Sequence, residues 1–293
     1  MDFAVFLVQC LNAVQYGLLL FLVASGLTLI FGILGVINLA HGSFYMIGAY
    51  LAYALAPWVA AHVGGGFFTA LTIGIALSVV LGYVLEWGFV SYLYEREHLQ
   101  QVLMTYGLIL VFEELRSILL GDDVHGVAPP AWLAGRIPLG DVMTYPVYRL
   151  FMSAVCVVVA LALYLVIART RLGMAIRAGA SNREVVQTLG VDIRLLYRIV
   201  FAAGVALAVF AGMIAAPVAS VYPGMGNQVL IISFVVVVIG GIGSIRGALV
   251  ASLLVGVVDT FGKVFMPQIA GILVYVLMAA ILLWRPEGLF RAG

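Results

Sequence analysis

Charge is what this 293-residue sequence has least of. Only 9% of its residues are Asp, Glu, Lys or Arg, and from Phe3 to Leu85 there is none. Water-soluble domains carry about 25%, and no fold solvated by water leaves so long a stretch uncharged, so the medium around most of the chain is lipid. Cysteine is nearly absent. Cys10 and Cys156 both sit in apolar runs, which predicts two buried free thiols and no disulfide framework. A concentrated basic face is missing as well: the net charge is +1, and no nucleic-acid partner is expected. No G-x-x-x-x-G-K-[ST] occurs. The Gly262-Lys263 pair lacks both the upstream glycine and the following hydroxyl residue, so this chain is not expected to hydrolyse nucleotide itself. Nucleophile-elbow and zincin signatures are likewise missing, and the segments between apolar runs are too short to house an enzyme domain.

What is present is a series of apolar runs near 8–34, 36–56, 66–92, 99–120, 144–168, 199–217, 228–243, 247–262 and 270–284. A crossing helix needs about 20 predominantly apolar residues, so the expectation is an all-α polytopic bundle with eight or nine spans, one domain over 1–293. The first run opens on Asp2 with no basic flank and reads as a retained span, not a signal peptide. Six arginines, Arg169, Arg171, Arg177, Arg183, Arg194 and Arg198, fall in one connection, which places that connection in the cytoplasm. Counting onward puts Arg246, Arg285, Arg291 and the C-terminus on the same side and the lone Lys263 on the other. Counting backward puts 121–143 outside and Glu95–His98 inside, with the side of the N-terminus left open. Gly32-Ile33-Leu34-Gly35 and Gly240-Gly241-Ile242-Gly243 interrupt apolar runs at comparable places, a trace of the two-halved build of many transporters.

Four segments carry chemistry. From Gly32 to Tyr50, Asn38, His41 and Ser43 stand among Gly35, Gly42 and Gly48. Polar side chains are costly in hydrocarbon and turn toward protein or water. They therefore line a path or cap helices at a corner, and both readings stand open. A metal role for His41 is not expected, since no ligand partner lies at suitable spacing. In the basic connection, Ser181-Asn182-Arg183-Glu184 followed by Val185, Val186 and Leu189, then Gly190, reads as a short capped helix with a glycine stop. Its apolar stripe suits docking into a partner's groove or lying on the inner leaflet. The intramembrane acids Glu86, Glu113, Glu114 and Asp259 are either paired, as Glu113 and Arg116 at i, i+3 suggest, or part of a proton route. Finally, Gly243 and Gly247 form a small-xxx-small pair for close helix packing.

Four stretches together resemble the branched-chain amino acid ABC permeases of the LivH type: GLTLIFGILGVINLAHGSFYMIGAY (26–50), RLGMAIRAGASNREVVQTLGVDI (171–193), VIGGIGSIRGALVASLLVG (238–256) and RPEGLF (285–290). The resemblance covers essentially the whole chain. It implies a type II importer-like permease in the bacterial inner membrane, paired with a second, LivM-like permease, bound to two cytoplasmic ATPase subunits that use ATP, and supplied by a periplasmic substrate-binding protein. No cofactor is implied for the chain itself. The family's coupling segment falls on 171–193, so Arg177, Ala178, Asn182, Arg183, Glu184 and Gly190 are the candidate ATPase contacts. Asn38, His41, Ser43 and Tyr45 are the candidate path residues. Tyr94-Glu95-Arg96-Glu97 departs from the more basic, proline-containing pattern of the family. The rivals are a urea or short-amide permease of the same class, a passive channel, and a proton-coupled secondary transporter working through the four acids.

Overall fold

The computed structural model describes residues 3–139, 143–181, 183–188 and 190–290, with the side chains at 139, 143, 181 and 183–185 left aside. Eleven α-helices follow in order among the described residues: α1 (Phe3–Leu34), α2 (His41–His62), α3 (Gly66–Gly88), α4 (His98–Leu120), α5 (Val147–Arg169), α6 (Arg171–Ser181), α7 (Arg183–Thr188), α8 (Ile193–Ala215), α9 (Met225–Gly240), α10 (Ile245–Phe265) and α11 (Ala270–Trp284). Six of them, α1, α2, α3, α5, α8 and α10, are long and apolar enough to cross a membrane, while α9 and α11 are apolar but shorter. α4 has the length but carries Glu113, Glu114 and Arg116. The expected all-α fold needs one amendment. Between α4 and α5 the chain forms an antiparallel hairpin of β1 (Arg136–Leu139) and β2 (Met143–Pro146), where paired strands satisfy backbone groups outside any helix.

α1 and α8 form the centre. α1 is buried at every residue from Gly17 to Ile30, as expected of a helix apolar all round. α10 packs along α1, and α3 packs along α8. Contacts at the helix ends sort the bundle into two poles. At one pole, that of the arginine-rich connection, Gly32 meets Gly243, Glu86 meets Arg198, and Arg177 and Arg246 share a cavity with Phe290. At the far pole Asn12 meets Arg149, Tyr148 meets the Ile214 carbonyl, and His125 bridges to Val221.

The helices around α1 and α8 match in an inverted sense. α1 runs toward the basic pole, α8 away from it. After α1, residues 35–40 leave the basic pole as irregular backbone, tied down by Ile37 N donating to Gln101 Oε1 (3.3 Å), and α2 then starts partway along the bundle, where His41 bonds the Val23 carbonyl. After α8, residues 216–224 turn back from the far pole, tied by the His125–Val221 bridge, and α9 starts where Gly226 touches Gly42. Non-helical backbone at membrane depth persists only when protein covers it. Val36, Asn38, Ala40 and Val221 are indeed fully buried. The approach of the two helix starts requires glycine on both sides: a Cβ on Gly226 would lie 2.7 Å from the Gly42 carbonyl oxygen, and a Cβ on Gly42 would run into the Gly226 carbonyl. Gly243 and Gly247 both sit at close approaches, Gly243 against Gly32 and Gly247 against Gly240, but Gly243 lies in the turn before α10 with φ +79, so the expected pair does not share one helix.

Candidate transport path and coupling segment

At the far pole a cavity of about 570 Å³ opens among α1, α2, α5, α8 and α10. Its polar groups come from four helices: Gln15 and Tyr16 on α1, Tyr45 on α2, Arg149 on α5, and Asp259 and Lys263 on α10. Asn12 accepts from Arg149 Nη1 (2.8 Å) and from the Tyr145 hydroxyl (3.2 Å), which fixes the guanidinium against α1. Lys263 Nζ lies 2.6 Å from Asp259 Oδ2 and 5.7 Å from the centre of the Tyr16 ring. Leu19, Met152 and Val218 supply apolar wall.

Of the four candidate path residues only Tyr45 reaches this cavity. Asn38 is buried in the 35–40 segment, its Oδ1 accepting from Ala40 N at 3.1 Å, an Asx-type turn leading into α2. His41, fully buried, bonds the Val23 carbonyl through Nε2 at 2.9 Å. A carbonyl only accepts, so Nε2 carries the proton and Nδ1 is left as an acceptor without a partner. Ser43 is buried beside it in the first turn of α2. One turn from Tyr45 toward the basic pole, the Gly42–Gly226 contact joins α2 to α9.

Three of the four intramembrane acids are paired. Glu86, buried at the basic end of α3, accepts from Arg198 Nε (3.1 Å) and from the Tyr94 hydroxyl (2.5 Å). Burial, and then the Glu86 carboxylate, push the Tyr94 phenol far above its ordinary range, so it is the donor in that bond. A cavity of about 660 Å³ adjoins, lined also by Arg96 and Arg194. Glu113 pairs with Arg116 at 3.3 Å, the i, i+3 contact expected, and Arg116 continues to Asp122 at 2.8 Å. Asp259 is held by Lys263, and Glu114 is exposed on the outside of α4. No cluster of His, Cys, Asp and Glu able to hold a metal ion occurs among the described residues.

In the basic connection the chain is more helical than its sequence suggests: α6 occupies 171–181, and α7 follows. Ile176 and Val186 turn inward while Ala178 is exposed. Arg177 donates to the Ile167 carbonyl and lines a cavity of about 460 Å³ with Arg246 and Phe290. Gly190 has φ +83, the left-handed stop expected after α7. The sequence reading missed Asp192, whose carboxylate caps α8 by accepting from Leu195 N at 3.1 Å. Ser181 closes α6, so the expected short helix begins later. Asn182 and the side chains of Arg183 and Glu184 lie outside the described residues.

The family model described as branched-chain amino acid transport system, permease component, matches residues 9–282. The chain is 31% identical to the high-affinity branched-chain amino acid permease protein BraD of Pseudomonas aeruginosa, over 97% of this chain and 95% of that protein. It is 28% identical to LivH of Escherichia coli over 98% and 96% respectively, and 27% identical to LivM of the same organism over 90% of this chain and 66% of the relative. No solved structure matches the chain. With a bundle of apolar helices and a match spanning nearly every residue, the chain belongs to the branched-chain amino acid transport permease family.

Proposed function

We propose that this chain is the membrane-spanning permease subunit of an ABC importer for branched-chain amino acids. The observation that carries the reading is the end-to-end match to permease proteins of such systems. The chain would work beside a LivM-like permease, two cytoplasmic ATPase subunits and a periplasmic binding protein, in a type II importer-like fold. Nine helices, α1–α5 and α8–α11, would lie in the membrane, with α9 crossing only part of it. The grouping of Arg96, Arg177, Arg198, Arg246 and Arg285 toward one pole supports a cytoplasmic basic pole and C-terminus. With five helices before Arg169, it also supports an external N-terminus. The far-pole cavity would then be the outer mouth of the path, with Tyr45 in its wall and the α2–α9 contact as its gate. Segment 171–193 would be the coupling element. Ion pairing of Glu86, Glu113 and Asp259 gives no support to the proton-coupled alternative.

The test is copurification of the tagged chain from its native membrane for wild type and for Arg183→Glu with Glu184→Arg. Recovery of ATP-hydrolysing subunits with wild type and their loss with the double charge swap is expected. Recovery of the chain alone in both cases contradicts the proposal.

A further inference from the structure

We propose that the far-pole cavity binds the zwitterionic head of an α-amino acid, Arg149 taking the carboxylate and Asp259 the ammonium, with the apolar side chain against Leu19, Met152 and Val218. The inference deepens the permease reading and rests on it.

Three features point to this class of ligand. The first is Arg149. Its bond to Asn12 is to a neutral oxygen, and no carboxylate pairs with it among the described residues. A guanidinium held in place with donors to spare is suited to bidentate capture of a carboxylate. The second is Asp259, whose side chain is only 13% exposed while its partner Lys263 is 64% exposed. An i, i+4 pair with a solvated lysine is weak. A ligand ammonium entering the cavity can therefore replace the Lys263 amine at the same carboxylate. The third is the division of the wall. Arg149, Lys263 and Asp259 are the charged groups lining a space of about 570 Å³, within the roughly 300–1,000 Å³ of small-molecule sites. Opposite charges and apolar wall together suit a solute that is charged at both signs on one end and apolar on the other.

The experiment uses the assembled transporter in nanodiscs without its binding protein, carrying Cys10→Ser and a reporter Ala219→Cys at the cavity wall. The rate of reporter labelling by a membrane-impermeant maleimide is measured with L-leucine, with leucinamide, which lacks the carboxylate, and with 4-methylpentanoate, which lacks the amine. Leucine is expected to slow labelling and the two analogues are not. Arg149→Gln and Asp259→Asn should each raise the leucine concentration needed by about tenfold or more, the scale of a lost charge-assisted bond. Arg149→Lys should restore part of it. Lys263→Gln should lower that concentration, because the competing amine is gone; a merely structural role for the pair predicts the opposite. ATP-driven leucine uptake by wild type is measured in parallel in proteoliposomes supplied with the binding protein. If uptake occurs but leucine gives no protection, or all three solutes protect alike, the cavity is not this site and the permease reading stands. If there is no uptake, the permease reading itself fails and the inference falls with it.

Discussion

Replacing Gly42 by alanine puts one methyl group where α2 and α9 touch backbone to backbone. The new Cβ would collide with the Gly226 carbonyl and lie 2.7 Å from the Leu230 Cβ. Carbon contacts are comfortable at about 3.5–4.0 Å, so the helix starts must part by roughly an ångström. Overpacking of this kind costs about 1–3 kcal/mol. The obstructing atoms include backbone, which has no alternative rotamer, so the cost belongs in the upper half, about 2–3 kcal/mol. Cys156 is fully buried and reports opening through its rate of labelling by a thiol dye in a Cys10→Ser background. When opening is fast relative to labelling, that rate follows the open population, and about 2–3 kcal/mol corresponds to roughly 30- to 150-fold faster labelling. The control is Gly107→Ala in α4, where an added Cβ meets nothing within 4 Å and helix propensity favours alanine by about 1 kcal/mol. Its labelling should be unchanged or slower. Labelling of the Gly42→Ala protein at the wild-type rate would refute the contact between the two helix starts.

Two further outcomes follow from the ion pairs. Arg198→Ala strands the Glu86 carboxylate, buried and left with only Tyr94; Cys156 labelling should rise about tenfold, and adding Glu86→Gln should reverse most of the rise, since an unpaired buried charge costs more than a neutral pair. Asp122, outside the membrane helices, is held below its ordinary 3.8 by hydrogen bonds from Arg116 and then Ser117. Its folded value is therefore the lower one, so this contact contributes fully above pH 3.8 and is lost as pH falls through the depressed value. Amide exchange of residues 121–125, corrected for intrinsic rate, should rise only on that acid limb, and Asp122→Asn should remove the pH dependence.

The sequence made the lipid-facing architecture legible because a crossing helix must be apolar along its whole length, a signal needing no knowledge of neighbours. The irregular stretch before α2 was visible as a glycine-rich interruption for the same reason, since irregular backbone at depth leaves glycines and buried polar residues behind, whereas Gly240–Gly243 proved to mark the turn from α9 to α10. Side-chain partners were a different matter. Glu86 and Arg198 are 112 positions apart, and Arg149 and Asp259 reach one cavity from helices far apart in the chain. Only packing brings such pairs together, so Glu86 and Asp259 stood out as isolated acids while Arg149 drew no notice. His41, conspicuous in sequence, is placed by the fold against a backbone carbonyl away from the cavity. The helix over 171–181 was hidden because its two interior glycines and sparse apolar residues weaken the periodic signal.

The most direct test of the central claim is radiolabelled leucine uptake into proteoliposomes containing the purified assembly, with binding protein added outside and ATP trapped within. Uptake that requires ATP, the ATPase subunits and the binding protein, and that survives collapse of the proton gradient, is the predicted result. Uptake by this chain alone, driven by a proton gradient and indifferent to ATP, would contradict the account.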